Sequence, residues 1–344
     1  MYRFECDYTE GACEEIIQAL VDTNMEQTAG YGMDMHCDNA RTYIKKECKN
    51  QDVDVHFLVG GTQTNTTVIA SILRPHQGVI AADTGHIGVH ETGAIEATGH
   101  KVLTVTGIDG KLKATDIRDV YDTHFADGNH EHMVQPGMVY LSQPTEVGTI
   151  YSKKELEDIS NVCRECHLPL FVDGARLGYA LEAPGNDVTI EDLAQLTDVF
   201  YIGGTKVGAL FGEAVVIVND NLKKDFRYFI KQRGGMLAKG RLLGIQFETL
   251  FADGLYYRIS KHAINLAMQI KEAFEKKGYS FFVDSCTNQQ FPIISKEVYD
   301  KLAVKYAFSF WERVDDDRVA VRFCTSWATT QESVEALIND INNI

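Results

Sequence analysis

The sequence predicts an α/β fold: a mostly parallel sheet with helices on both faces, joined to a smaller α+β unit. Three observations carry this. Between about residues 50 and 220, short and nearly continuous apolar runs alternate with segments of helical period, as buried parallel strands alternate with crossover helices. Beyond residue 240 the alternation stops, and a long helical stretch leads into closely spaced strands. With 344 residues, 44% of them hydrophobic and 10% aromatic, the chain can bury a large core and divide into two units.

In chain order, helical periodicity predicts helices near 11 to 24 and 38 to 49, before the strand "VHFLVGG". A helix over about 63 to 74 precedes the strands "GVIAAD" and "KVLTV". Then come "MVYLS", a helix over 153 to 166, "PLFVD", "DVFYIGG" and "AVVIV". One long helix is expected over about 241 to 276. It is followed by the strands "YSFFVD", "QFPII", "AFSFW" and "VAVRFCT", with helices at about 296 to 304 and 330 to 342. No repeat or flexible linker interrupts this order. The expected division is an N-terminal segment, 1–30, packing on the small unit, a large unit over 31–245, and a small unit over 246–344 that includes the connecting helix.

Composition excludes several classes of function. Thirty-three Lys and Arg stand against 49 Asp and Glu, a formal charge of -16 with no basic run, so neither nucleic acid nor an anionic membrane is the expected partner. A small metabolite fits. No apolar segment approaches the roughly 20 residues that span a bilayer, and "MYRFECDYTEG" carries acids where a signal peptide has its apolar core, so the expected location is cytoplasmic. The eight cysteines are expected to be reduced thiols. The string Cys163-Arg164-Glu165-Cys166-His167 matches a c-type haem attachment pattern, but it closes a helical segment and is read as helix-end thiols. No histidine pairing has metal-ligand spacing, so no metal is expected.

Ligands of open parallel sheets bind beyond the carboxyl ends of the strands, and three of these ends carry unusual chemistry. In "VGGTQTN", Gly61, Thr62 and Gln63 open a helix whose free N–H groups suit a phosphate, although the P-loop ending and GxGxxG are both missing. In "FVDGARLGYA", Asp173 closes an apolar strand and Arg176 follows three residues later; a structural pair of the two is the simplest alternative. In "DVFYIGGTK", Lys206 ends a glycine turn, where desolvation lowers an ammonium pKa and leaves an amine able to attack a carbonyl. A phosphate-holding helix start, an aspartate for a ring nitrogen and a lysine for an imine are what a protein supplies to pyridoxal 5'-phosphate.

At this point the sequence resembles the fold type I pyridoxal-phosphate enzymes, and within them the low-specificity L-threonine aldolase and β-eliminating lyase group. The resemblance runs through "DYTEGA", "GYGMD", "GGTQTN", "HIGVHETGA", "VDGARL", "GGTK" and "VRFCT". It implies that Lys206 holds the cofactor with Thr205 beside it near the phosphate, and that Gly61, Thr62 and Gln63 form the phosphate cup. Asp173 would bond the pyridinium nitrogen, Ala175 would lie on one ring face and His86, five residues before Glu91, on the other. Arg176 would stand near the substrate carboxylate and Arg322 would be its principal clamp.

The departures are specific. The Thr-His-Asn segment of typical threonine aldolases is replaced by "SQPTEVGT", which offers Thr145 and Glu146 instead. His86 or a water is then the main candidate for the base at the substrate hydroxyl, His86 being suited by an unperturbed pKa of about 6.5. The family's opening serine is Cys6 here, and the basic residues around Gly234 and Gly235 are Lys231, Arg233 and Lys239. In relatives that loop reaches a neighbouring subunit's phosphate, so the resemblance implies a homodimer or homotetramer. The function it implies is a carbon–carbon lyase that cleaves L-threonine or L-allo-threonine to glycine and acetaldehyde. A β-eliminating lyase using the same cofactor is the first alternative, and a non-catalytic pyridoxal-phosphate protein the second.

Overall fold

The computed structural model describes all 344 residues. Seven strands form the central sheet: β1 (Asp54–Leu58), β2 (Gln77–Ala82), β3 (Val102–Val105), β4 (Gln135–Ser142), β5 (Leu170–Asp173), β6 (Val199–Gly203) and β7 (Glu213–Ile217). Their spatial order is β1-β7-β6-β5-β4-β2-β3, and only β7 runs against the others. The carboxyl ends of the six parallel strands therefore open on one edge, where β7 begins.

Period-2 alternation explains why these strands are apolar throughout. Val139 and Leu141 of β4 and Phe200 and Ile202 of β6 face one buried core, while Met138, Tyr140, Val199 and Tyr201 face the other. Each buried large side chain contributes roughly 1.5–3 kcal/mol relative to exposure, so a shift of register by one residue is strongly disfavoured. The helix Lys153–Glu165, with Leu156, Ile159 and Cys163 in the first core, starts where predicted, on a capping box between Ser152 and Glu155. Cys163 is buried and Cys166 caps that helix, as helix-end thiols should.

Several expectations need correction. The stretch predicted as one helix is two, Arg241–Ala252 and Leu255–Lys276. Gly254 has φ +75 and breaks it, a conformation that glycine adopts without steric cost. "YSFFVD" forms no strand and contributes a single bridge between Phe281 and Pro292, because its apolar side chains line a loop. The helices Ala114–Ala126, Leu177–Leu181, Ile190–Leu196 and Phe226–Gln232 were not predicted, being short or weakly periodic.

A second, antiparallel sheet contains Ile293–Ser295, Ser309–Arg313 and Arg318–Cys324, and the helix Gln331–Asn343 packs with it around a separate core. The first residues of the chain join this unit: Tyr2–Arg3 pairs with Tyr306–Ala307, and Phe4 lies in its core. The rest of the N-terminal segment does not follow them. The helix Glu14–Asp22 places Ile16 in the large core, beside Leu243, Phe247 and Leu250 of the helix Arg241–Ala252.

Candidate active site

Six of the predicted residues line one cleft at the carboxyl edge of the sheet: Gly61, His86, Asp173, Ala175, Arg176 and Lys206. They arrive from four strand ends, because parallel strands deliver their last residues to the same side.

Lys206 follows the turn after β6. Its ammonium makes no hydrogen bond or ion pair with the protein, although its carbonyl accepts from the Tyr179 hydroxyl at 2.6 Å. Burial is the main cause that pushes the Lys206 amine below its ordinary value, and the charge of Arg176 adds to it. The opposing carboxylates are Asp7, Asp173 and Glu213.

Asp173 is 4% exposed at the end of β5. Oδ2 accepts from the Tyr140 hydroxyl at 2.6 Å and from Asn65 Nδ2 at 3.0 Å; Oδ1 accepts from the Tyr201 hydroxyl and from the Ala175 amide at 3.0 Å. Burial alone would raise its pKa, but His86 and these donors overcome that and hold the carboxyl below the usual carboxylate range. Asp173 is thus an anion fixed in orientation. The glycine that follows it is required by close approach, since a Cβ on Gly174 would stand 2.0 Å from the Tyr201 carbonyl oxygen.

Behind Asp173 a polar chain reaches His86. Asn65 Nδ2 also donates to Glu91 Oε1 at 2.7 Å, and the same oxygen lies 2.8 Å from His86 Nδ1. Asn65, Tyr140 and Tyr201 were not singled out in the sequence. The tyrosines pass for apolar filler in strands, and Asn65 for a surface residue of a helix, yet all three are buried.

The helix Gly61–Ile72 begins at Gly60 with no side-chain cap, so its first N–H groups remain free beside the cleft. Other predicted residues lie differently. The Gln63 side chain turns away, accepting from the Val59 amide at 3.2 Å and donating to the Arg233 carbonyl at 3.1 Å. The Thr205 hydroxyl is engaged by Glu213 Oε1 at 2.8 Å and the Gly212 amide at 3.0 Å. Burial pushes the Glu213 carboxyl up to about 8.

Arg176 lines the cleft but is held by Asp7, with Nε to Oδ2 at 2.6 Å and Nη2 to Oδ1 at 3.0 Å. The simple Asp173–Arg176 pair is not formed. Arg322 is not among the lining residues. It donates to the Glu5 carbonyl at 2.8 Å and to Gln289 Oε1 at 3.1 Å, with its guanidinium 5.8 Å from the Trp311 ring centroid. The Glu5 carbonyl and Gln289 take two of its nitrogens, and its Nε is left buried without a partner.

These residues fit pyridoxal phosphate. A free amine, an oriented anionic carboxylate and an uncapped helix start converge on one cleft, while Ala175 and His86 offer two surfaces for a flat ring. A family model described as β-eliminating lyase matches residues 4–294. The chain belongs to the β-eliminating lyase family. It is 31% identical over 346 residues to the low specificity L-threonine aldolase of Pseudomonas aeruginosa, covering 98% of this chain and 96% of that one. A solved structure of Leishmania major threonine aldolase matches with a TM-score of 0.97 at 46% identity, covering 100% of this chain and 99% of that one. Thermus thermophilus aspartate aminotransferase shares the fold alone, with a TM-score of 0.71 at 12% identity, covering 100% of this chain and 92% of that one. The fold is that of the type I pyridoxal-phosphate enzymes.

Proposed function

We propose that this chain is a pyridoxal-phosphate-dependent aldehyde-lyase that cleaves L-threonine or L-allo-threonine to glycine and acetaldehyde. The observation that carries the reading is the unpartnered amine of Lys206 in a cleft that also contains the anionic, fully hydrogen-bonded Asp173. The threonine aldolase relatives support the choice of substrate.

Lys206 holds the cofactor through its amine, whose lowered pKa keeps a larger neutral fraction near pH 7. The cofactor, when bound, supplies an electron sink for a bond broken at the substrate's Cα. Asp173 keeps the ring nitrogen protonated, and Asn65, Tyr140 and Tyr201 keep Asp173 aimed. Gly61 and Thr62 hold the phosphate through backbone N–H groups, and the backbone of Gln63 extends that cup. His86 and Ala175 cover the ring faces. Thr205 supports the lysine turn from beneath. Arg176 and Arg322 orient the substrate carboxylate, and the Arg322 Nε is a donor with no protein partner.

The working form is a homo-oligomer in the cytoplasm. Exposed Tyr31, Met33 and Met35, close together in sequence, offer an apolar contact surface, and eight free thiols suit a reducing compartment. Sedimentation showing only monomer would remove the first inference. The test of function is product analysis on a panel of amino acids. Glycine and acetaldehyde from threonine, with little pyruvate from L-serine or L-cysteine, is the expected result. Pyruvate without glycine moves the reading to β-elimination, and neither product leaves a cofactor-binding protein.

A further inference from the structure

We infer that Glu146 is the proton acceptor for the substrate's β-hydroxyl, taking the place of the histidine that this chain lacks. The inference rests on the aldehyde-lyase reading above. Glu146 sits in the loop after β4, at the carboxyl edge of the sheet, and lines the same cleft as Lys206, Asp173 and His86. Its Oε1 is fixed by two donors, the Ser142 hydroxyl at 2.6 Å and the His86 backbone amide at 2.9 Å. Oε2 makes no hydrogen bond within the protein, so one oxygen positions the group and the other is left for a ligand.

The loop itself is rigidly held. The Thr145 amide donates to the Thr149 carbonyl at 2.9 Å, their hydroxyls are 2.7 Å apart, and the Ser285 hydroxyl donates to the Gly148 carbonyl at 3.0 Å. A carboxylate on so fixed a loop is not a solvated surface acid.

The titratable and charged groups facing Glu146 are Asp173 from β5, His86 at the start of the short helix His86–Val89, and Lys206 and Arg176 across the cleft. Burial, and then the charge of Asp173, outweigh the hydrogen bonds and push the Glu146 carboxyl up, whereas Asp173 beside it is held down. Two carboxyls whose environments separate their proton affinities divide into one that stays ionised and one that exchanges a proton. His86 is less suited to that exchange. Its Nδ1 is committed to Glu91 at 2.8 Å, and as a cover for the cofactor ring it would present its face, not its nitrogens, to the substrate.

In the step assigned to Glu146, its carboxylate takes the β-hydroxyl proton and the O–H electron pair becomes the second bond of the aldehyde C=O. The Cα–Cβ bond would then break, and the cofactor, when bound, would supply the sink for its electron pair. Glu146 gives its proton up to water and water supplies the proton that completes glycine at Cα, so one proton leaves the hydroxyl and one arrives at Cα. No oxidant or reductant is needed.

The test is the holoenzyme with Glu146→Gln, which preserves shape and the Ser142 bond, and with Glu146→Asp, which retracts the acid. Glu146→Gln should keep the visible absorbance of bound cofactor, its fixation by borohydride, and the spectral titration with glycine, which has no β-hydroxyl. Exchange of the glycine α-hydrogen in heavy water should also persist, while threonine cleavage falls by about 10²-fold or more. Glu146→Asp should fall between the two. Cleavage within a few-fold of the parent in Glu146→Gln overturns this inference alone, as does loss of glycine titration or exchange to the same extent as cleavage. Absence of glycine from threonine in the parent sinks the functional reading and this inference with it.

Discussion

Lys206 and Asp173 show how partners decide whether a buried group stays charged, since burial works against the charged form of both. Lys206 has nothing to donate to, so desolvation lowers its pKa; Asp173 receives four hydrogen bonds and stays ionised. The rate at which cofactor-free protein captures pyridoxal phosphate should therefore reach its plateau below the pH of about 10.4 expected for an ordinary lysine. Lys206→Ala should leave no cofactor fixed by borohydride, and peptide mapping that finds it on another lysine would reject the assignment. Asp173→Asn should still bind cofactor but lose on the order of 10²-fold or more in turnover, as when one preorganised charge-stabilising contact is removed. Turnover at the parental rate would end the electron-sink role.

At the scale of elements, the helix Met35–Glu47 is tied to the helix Arg241–Ala252 by a buried histidine. His36 lies between two carboxylates, with Nδ1 2.7 Å from Glu248 and Nε2 2.9 Å from Glu26. Burial lowers its pKa, but the two carboxylates together raise it above 6.5. Because the folded value is raised, its stabilisation is complete below the unfolded value of about 6.5 and is lost as pH rises through the folded one. The urea midpoint should fall across that interval, and His36→Gln should flatten the fall. An unchanged pH profile in His36→Gln would show that this contact does not couple the helices.

For the whole molecule, Asp7 connects the N-terminal segment to both units. It is 0% exposed, pairs with Arg176 at the end of β5 and accepts from Asn288 Nδ2 at 3.0 Å in the smaller unit. Asp7→Ala would leave the Arg176 guanidinium buried without its partner, which costs about 3–5 kcal/mol. Equilibrium denaturation measures this, and a loss below about 1 kcal/mol would mean that water replaces the pair. Burial would raise the Asp7 pKa, but Arg176 outweighs it and holds the carboxyl below the usual range. Its stabilisation is therefore present above an unfolded pKa of about 3.9 and lost as pH falls through the folded value.

What the sequence alone determined is whatever short-range order encodes: the apolar strands, the helices with strong period, and the residues that parallel strands deliver to one edge. Gly61, Asp173 and Lys206 were legible because Gly61 opens a helix, Asp173 closes a strand and Lys206 lies on the turn just past one, and strand ends of a parallel sheet must meet. The break at Gly254 was also local, but helical period on both sides concealed it. Tertiary structure alone decided the partners. Asp7 and Arg176 are 169 residues apart and Asn65 and Asp173 are 108 apart, and no periodicity links such distances. The same holds for Gln63 turning to Arg233, Arg322 resting on Glu5, and Glu146 held by His86. A polar side chain's partner is chosen by which elements pack together, because once buried it must bond to whatever the fold brings within reach.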